Sequence, residues 1–305
     1  MFDEEIDTPV IKINDERLER YGVELFIKRE DLTDPIISGN KYRKLKYNLI
    51  YAKDHGFDTL LTFGGAYSNH IHAVAYTGKK FGFNTIGVIR GEKTEPLNST
   101  LRDASSYGMN FHFVSRSTYR NKNELSFIKE LREQYGNFYL VPEGGSNPLA
   151  VKGCTEILNE QVKSFDHICC ACGTGGTIAG IVAGLNGSKK IWGYPALKNG
   201  GFLKDDITKL INGFNSSTYE NWDLILEYHF GGYAKFTIEL IDFINEFKKR
   251  HNVQLDPIYT GKLMYGIFDR IRLGFYSTNE KILAIHTGGI QGIKGFNERF
   301  GNIIK

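Results

Sequence analysis

The segment TLLTFGGAYSNHIHAVAYTGKKFGFNTIGVI, residues 59–89, decides the reading of the fold. Apolar runs at 59–63 and 85–89 flank an Ala-rich amphipathic stretch from about Ser68 to Phe81, which reads as strand, helix, strand. The alternation continues through a helix near Leu97 to Tyr107, NFHFVS at 110–115, a helix over Glu124 to Tyr135 and FYLVP at 138–142. Strand and helix in repeated alternation predict a parallel sheet with helices packed on its faces. The turn formers EGGSNP at 143–148 interrupt the series, and a domain crossing is predicted there. A second α/β series follows: a helix from about Ala150 to Ser164, strand HICCAC at 167–172, a helix opening near Thr177 and strand IWGYPAL at 191–197. It ends with helices over Thr237 to Arg250 and after Thr260, strand ILAIHT at 282–287 and a short final helix.

Composition bounds the function. The 305 residues, 41% hydrophobic with 34 Gly and 7 Pro, bury a large core and suit two domains or one domain with an insertion. Against 35 Asp+Glu, 38 Lys+Arg leave a net charge of +3, too small and too dispersed to bind nucleic acid. The acidic start Met1 to Glu5 is unlike a signal peptide and no run is long enough to span a bilayer, so a cytoplasmic protein without a membrane partner is expected. Cys169, Cys170 and Cys172 crowd one apolar strand, where neighbours point to opposite faces and no CxxC pair exists. They read as small core residues, and no metal site is predicted.

Three polar clusters carry chemistry. Gly173-Thr174-Gly175-Gly176-Thr177 follows a strand and opens a helix, so its backbone N–H groups and hydroxyls form a cup for a phosphate. A turn selected for packing alone rarely needs three glycines and two threonines. The cup has neither the GK[ST] of a Walker loop nor GxGxxG spacing. Lys41, after Gly39-Asn40 at a helix start, suits a desolvated amine of lowered pKa, although an ordinary basic helix start explains it better when taken alone. The turn Gly64-Gly65 delivers Ser68, Asn69 and His70 to a helix N-terminus, where Ser68 also reads as a plain N-cap. A reactive lysine, a phosphate cup and a Ser-Asn pair together match the needs of pyridoxal 5′-phosphate.

At this point the chain resembles a known family. KREDLTDPIISGNKYRKLK (28–46), FGGAYSNH (63–70), PEGGSNPLAVKG (142–153), CGTGGT (172–177), DPIYTGKLMYGI (256–267) and HTGG (286–289) resemble the 1-aminocyclopropane-1-carboxylate (ACC) deaminase/D-cysteine desulfhydrase family. These are fold-type II pyridoxal-phosphate enzymes, similar to the tryptophan synthase beta chain. The resemblance implies a two-domain α/β fold of that type, with parallel sheets flanked by helices. A larger cofactor domain would comprise 1–45 and 155–305, with a smaller domain at 46–154 inserted and the active site between them.

The resemblance also implies roles. Lys41 would bond the cofactor and move protons at the substrate carbon, while Lys44 and Lys46 stand outside the motif position. Ser68 would contact the substrate carboxylate or act as an acid/base, Asn69 would bond the cofactor's phenolic oxygen, and Gly173 to Thr177 would hold its phosphate. Thr287 would face the pyridine nitrogen. Tyr233 and Tyr259 match the family's aromatic pair, Tyr259 against the ring as a general acid or base. Without the family, both read as ordinary aromatics.

Departures from the family pattern bear on the substrate. Thr260 stands where ACC deaminases carry Glu, which tilts the expectation toward α,β-elimination from a small D-amino acid such as D-cysteine, giving pyruvate, ammonia and sulfide. ACC ring opening is the alternative within the class, and a non-catalytic pyridoxal-phosphate-binding protein the alternative outside it. Tyr67 and His72 replace the usual Gln and Arg beside the Ser-Asn pair. A small amino acid is the expected partner, and a homodimer is implied by the resemblance alone.

Overall fold

A computed structural model describes residues 6–158 and 160–305, so the acidic start Met1 to Glu5 lies outside the described residues. Its strands are β1 (Val10–Ile13), β2 (Glu24–Lys28), β3 (Thr59–Gly65), β4 (Asn84–Arg90), β5 (Asn110–Val114), β6 (Tyr139–Val141), β7 (His167–Cys172), β8 (Lys190–Pro195), β9 (Trp222–Leu224) and β10 (Lys281–Ile285). The α-helices are α1 (Glu16–Glu19), α2 (Asn40–Asp54), α3 (Asn69–Phe81), α4 (Ser99–Ser106), α5 (Arg116–Arg120), α6 (Leu125–Tyr135) and α7 (Pro148–Thr155). They continue with α8 (Gly176–Leu185), α9 (Leu203–Asn215), α10 (Ile238–His251), α11 (Thr260–Arg272) and α12 (Gly292–Phe300).

Among the described residues the strands make two sheets. The smaller, in order β5-β4-β3-β6, is parallel throughout. The larger, in order β1-β2-β10-β7-β8-β9, is parallel apart from the antiparallel edge pair β1 and β2. The predicted α/β fold with parallel sheets is the fold observed. No helix among the described residues is long and apolar enough to cross a membrane.

Local chemistry explains the element ends. Ser68 Oγ accepts from the N–H groups of His70 (3.2 Å) and Ile71 (3.3 Å) to start α3, and Gly82 ends it in the left-handed region at φ 76°. One predicted helix is shorter than its pattern: the stretch from Ala150 to Ser164 forms α7 and then a 3₁₀ turn over Glu160–Ser164, with position 159 outside the described residues. The chain leaves α7 at Glu156, whose carboxylate is held by Lys46 Nζ (2.8 Å) and the Tyr47 hydroxyl on α2.

Side chains along β7 alternate between two cores. Cys169 and Ala171 join Leu25, Ile27 and Ile282 on one face, while Ile168, Cys170 and Cys172 join Ile178, Leu283 and Ile285 on the other. All four cysteines are free and buried, and desolvation raises the Cys154 thiol to about 11 and those of Cys169 and Cys172 to about 12.

The smaller sheet has its own cores, one of which takes Tyr42, Leu45, Leu49 and Ala52 from α2. Val151 and Cys154 of α7 instead join the core of the larger sheet. The expected domain limits at 45/46 and 154/155 therefore fall inside helices that each serve one core. Where α2, α7 and α8 stack, glycine permits the approach: a Cβ on Gly153 would lie 1.9 Å from the Arg43 carbonyl oxygen, and one on Gly180 would lie 2.3 Å from Cys154 Cβ. Replacing Gly153 with Ala should force α2 and α7 apart and lower stability by about 1–3 kcal/mol in urea unfolding, the usual cost of overpacking. An unchanged midpoint would show that the stack tolerates the methyl group.

Candidate active site

Between the two sheets lies a cleft of about 990 Å³. Lys41, Ser68, Asn69, Gly173, Thr174, Gly175, Thr177, Tyr233, Tyr259 and Thr287 all line it. Gly176 is the one predicted residue that does not: a Cβ there would sit 2.6 Å from Ser146 Oγ and 3.0 Å from Lys44 Nζ, so it backs onto the wall.

The lysine helix is placed by its first residues. Gly39 has φ 73°, and a Cβ on it would lie 2.0 Å from the Thr287 carbonyl oxygen, so only glycine lets α2 start against the HTGG loop. Asn40 then donates its backbone N–H to Thr287 O (3.1 Å) and its side-chain Nδ2 to Thr177 Oγ1 (2.8 Å). Lys41 follows, its Nζ 3.5 Å from the Gly144 carbonyl. Desolvation first, and the Lys44 charge second, hold its amine well below the ordinary lysine range. Burial also lowers Lys44, whose ammonium bonds Gly144 O (3.0 Å), Ser146 Oγ (2.9 Å) and Thr174 Oγ1 (3.4 Å). Lys46 pairs with Glu156 away from the cleft. Lys41 is thus the lysine of the three whose amine is least committed.

The cup stands opposite. Gly175 caps α8 at φ 78°, and the first helical amide to find a carbonyl is Ala179 N–H on Gly175 O (3.0 Å), leaving the earlier amides for an anion. Thr174 Oγ1 and Ser146 Oγ share a bond of 2.6 Å.

The Ser-Asn turn closes the third side. Ser68 serves as the N-cap and also lines the cleft, so both readings of that residue stand together. Asn69 Oδ1 accepts from Gln291 Nε2, a partner that no local motif announces. His70 is buried; its Nε2 meets Thr62 Oγ1 at 2.8 Å, and that hydroxyl already donates to Val141 O (2.8 Å). The imidazole must therefore donate from Nε2, which leaves Nδ1 as a buried lone pair without a hydrogen-bond donor among the described residues. Burial, then Lys41 and Lys44, push its pKa well down, so the ring is neutral. His72, which also lines the cleft, is likewise lowered by burial, and it brings no full charge to replace an arginine. Tyr67 packs against Gly295 of α12.

The tyrosine rings meet edge-on, centroids 6.2 Å apart at 67°. Tyr259 also packs on Gly173, where a Cβ would lie 3.1 Å from its ring. Desolvation raises both phenols, and Tyr233 and Asp256 raise Tyr259 further, so each is a proton donor near neutrality and not a phenolate base.

Thr260 corrects an expectation. Its hydroxyl donates to Asp256 Oδ1 (2.7 Å) and accepts from Asp256 N–H (2.8 Å), inside a cap in which Asp256 also takes the N–H groups of Ile258, Tyr259 and Thr260. Only 1% exposed, the residue belongs to the start of α11 and does not face the cleft. The carboxylate that does face it, Glu143, accepts from Tyr119 Oη (2.8 Å) and lies 3.4 Å from Lys122.

Two largely parallel sheets around a cleft that brings a desolvated amine near the N-terminus of a helix define an α/β fold built to hold a small anionic ligand. The family model for pyridoxal-phosphate dependent enzymes matches residues 1–288, and the chain belongs to that family. A Thermotoga maritima protein provisionally named 1-aminocyclopropane-1-carboxylate deaminase is 34% identical over 296 residues, covering 90% of this chain and 91% of that one. The Arabidopsis thaliana mitochondrial bifunctional D-cysteine desulfhydrase/1-aminocyclopropane-1-carboxylate deaminase is 34% identical over 297 residues, 89% of this chain and 74% of that one. A solved ACC deaminase homologue superposes with a TM-score of 0.84 at 31% identity, over 98% of this chain and 94% of that one. The cofactor of this chain is pyridoxal phosphate, and the donor set fits it: amides and hydroxyls in the cup with Lys44 behind them.

A histidine held neutral in the fold penalises acid. Stability from His70 is fully present above its unfolded pKa of about 6.5 and is lost as pH falls below that value toward the lowered folded pKa. His70→Gln, which keeps a donor for Thr62, should lose less stability than the wild type between pH 6.5 and 5 in denaturant titrations, a window of about 1.5 units. Equal losses would place the acid sensitivity elsewhere.

Proposed function

We propose that this enzyme catalyses α,β-elimination from a small D-amino acid, with D-cysteine giving pyruvate, ammonia and sulfide. The observation that carries the reading is the lowered amine of Lys41, placed by Asn40 between the Thr287 loop and the cup. When bound, pyridoxal phosphate acts as an electron sink that acidifies the substrate Cα–H. The cup amides with Thr174 and Thr177, backed by Lys44, would hold its phosphate, Asn69 its phenolic oxygen, and Thr287 its ring nitrogen. A neutral hydroxyl at Thr287 leaves that nitrogen unprotonated.

Lys41 Nζ would take the Cα proton, since burial favours its neutral form. Ser68 Oγ, already an acceptor for two amides, keeps its own hydrogen to donate to the substrate carboxylate at the start of α3. Tyr259 and Tyr233, both protonated, would give a proton to the departing group or hold it by a hydrogen bond. These roles favour enzyme over binder, because holding the cofactor needs only the cup, Asn69 and Lys41.

ACC ring opening is a second reading, supported by the double name of the Arabidopsis relative. A cyclopropane carbon lacks an acidic hydrogen and needs further acid/base help. The one carboxylate lining the cleft among the described residues is Glu143, already held by Tyr119 and Lys122. That favours elimination on grounds independent of position 260.

The wild type should release sulfide from D-cysteine at least about tenfold faster than it forms 2-oxobutanoate from ACC, a barrier difference of about 1.4 kcal/mol. Faster ACC turnover would reverse the order of the two readings. Thr260→Glu should destabilise the protein by setting a second buried carboxylate against Asp256, and it should bring no gain in ACC turnover. A stable variant with raised ACC activity would show that position 260 reaches the cleft after all.

A further inference from the structure

Lys262 sits within α11, one turn beyond Tyr259, and is only 2% exposed. Its ammonium has no carboxylate partner within bonding range among the described residues; it donates to two backbone carbonyls, His229 O (2.9 Å) and Gly232 O (2.8 Å). Both carbonyls belong to the loop that carries Tyr233 into the cleft. That loop is strained: Phe230 (φ 51°), Gly231 (φ 90°), Gly232 (φ 118°) and Ala234 (φ 55°) all lie on the positive side, two of them without the excuse of glycine. Such a segment keeps its shape only where neighbours over-determine it. Within the loop, His229 Nδ1 accepts Gly231 N–H (2.9 Å) and Gly232 O accepts Lys235 N–H (3.1 Å). From α11, Lys262 supplies the hydrogen bonds to this loop, while Phe230 packs edge-on against Tyr265 of the same helix (centroids 5.0 Å).

Burying this cation is costly. Desolvation brings Lys262 down to about 8, with Asp256 the opposing charge. An apolar side chain would fill the same space without that cost, so the amine is explained by the two carbonyls it ties down.

We infer that Lys262 is a positioning residue: by hooking the strained 229–235 loop to α11, it sets the Tyr233 phenol against Tyr259 at the cleft. One helix then fixes both tyrosines, Tyr259 through its N-terminal cap and Tyr233 through a lysine one turn later. The inference rests on the reading of Tyr233 and Tyr259 as groups of the active site.

Two measurements test it. In amide hydrogen exchange, with and without pyridoxal phosphate, Lys262→Met should speed exchange across 229–235 by about tenfold or more while 263–272 stays unchanged. In D-cysteine turnover, the same change should lower kcat by about tenfold or more in the wild type and by less than about twofold when Tyr233 is already Phe, because the two residues then act as one unit. Lys262→Gln, which keeps uncharged donors, should give the same pattern at smaller amplitude and serves if the Met variant fails to fold. Unchanged exchange in the loop, or equal fold-losses in both backgrounds, overturns the inference. If the wild type turns over none of the substrates, the proposed reaction fails on its own, and loop exchange alone decides whether Lys262 is the hook.

Discussion

Asn40 is the junction on which the site depends. Its two hydrogen bonds tie the first turn of α2 to the Thr287 carbonyl and to Thr177 at the head of α8, and Gly39 makes room for both. The next residue is Lys41, so the amine inherits a position defined by two loops of the larger sheet while the rest of α2 packs in the core of the smaller one. The cleft is therefore assembled by the same contacts that join the two halves of the fold. Each of those contacts is short and directional, and none tolerates an added side chain at Gly39.

Electrostatics then selects what the cleft accepts. Lys44 lies in the cleft wall without a carboxylate partner among the described residues, beside the lowered amine of Lys41 and the neutral His70. A buried ammonium such as that of Lys44 is stabilised by a nearby anion. In the proposed reading a phosphate on the amides of α8, backed by Lys44, would supply it, and the lowered Lys41 amine would remain free for chemistry. The tyrosines and Ser68 add neutral donors, which suits a reaction whose protons move between lysine, substrate and leaving group.

Much of this was legible in the sequence because it is local. The alternation from Thr59 to Val141 follows from periodicities of two and 3.6, and the Gly173 to Thr177 turn announces its own chemistry by composition. The four-residue faces of α9, with Leu203, Ile207 and Ile211 buried, carried an equally plain signal that was missed. What could not be read is contact at a distance. Asn40 meets Thr177 across 137 residues and Asn69 meets Gln291 across 222, and no spacing rule connects such pairs. Thr260 was misread for the same reason: its motif position says that it follows Tyr259, whereas the fold turns its hydroxyl into the Asp256 cap and away from the cleft. The length of α7 was overestimated because Glu156 finds partners on α2, a tertiary contact that outranks helical continuity.

The central claim is that Lys41, among three lysines within six residues of one helix, is the amine that bonds the cofactor. Borohydride reduction of the protein loaded with pyridoxal phosphate, followed by digestion and mass spectrometry, tests it directly. The account predicts a single phosphopyridoxyl group, carried on Lys41. A label on Lys44 or Lys46, or no covalent label on a protein that binds the cofactor, would contradict it.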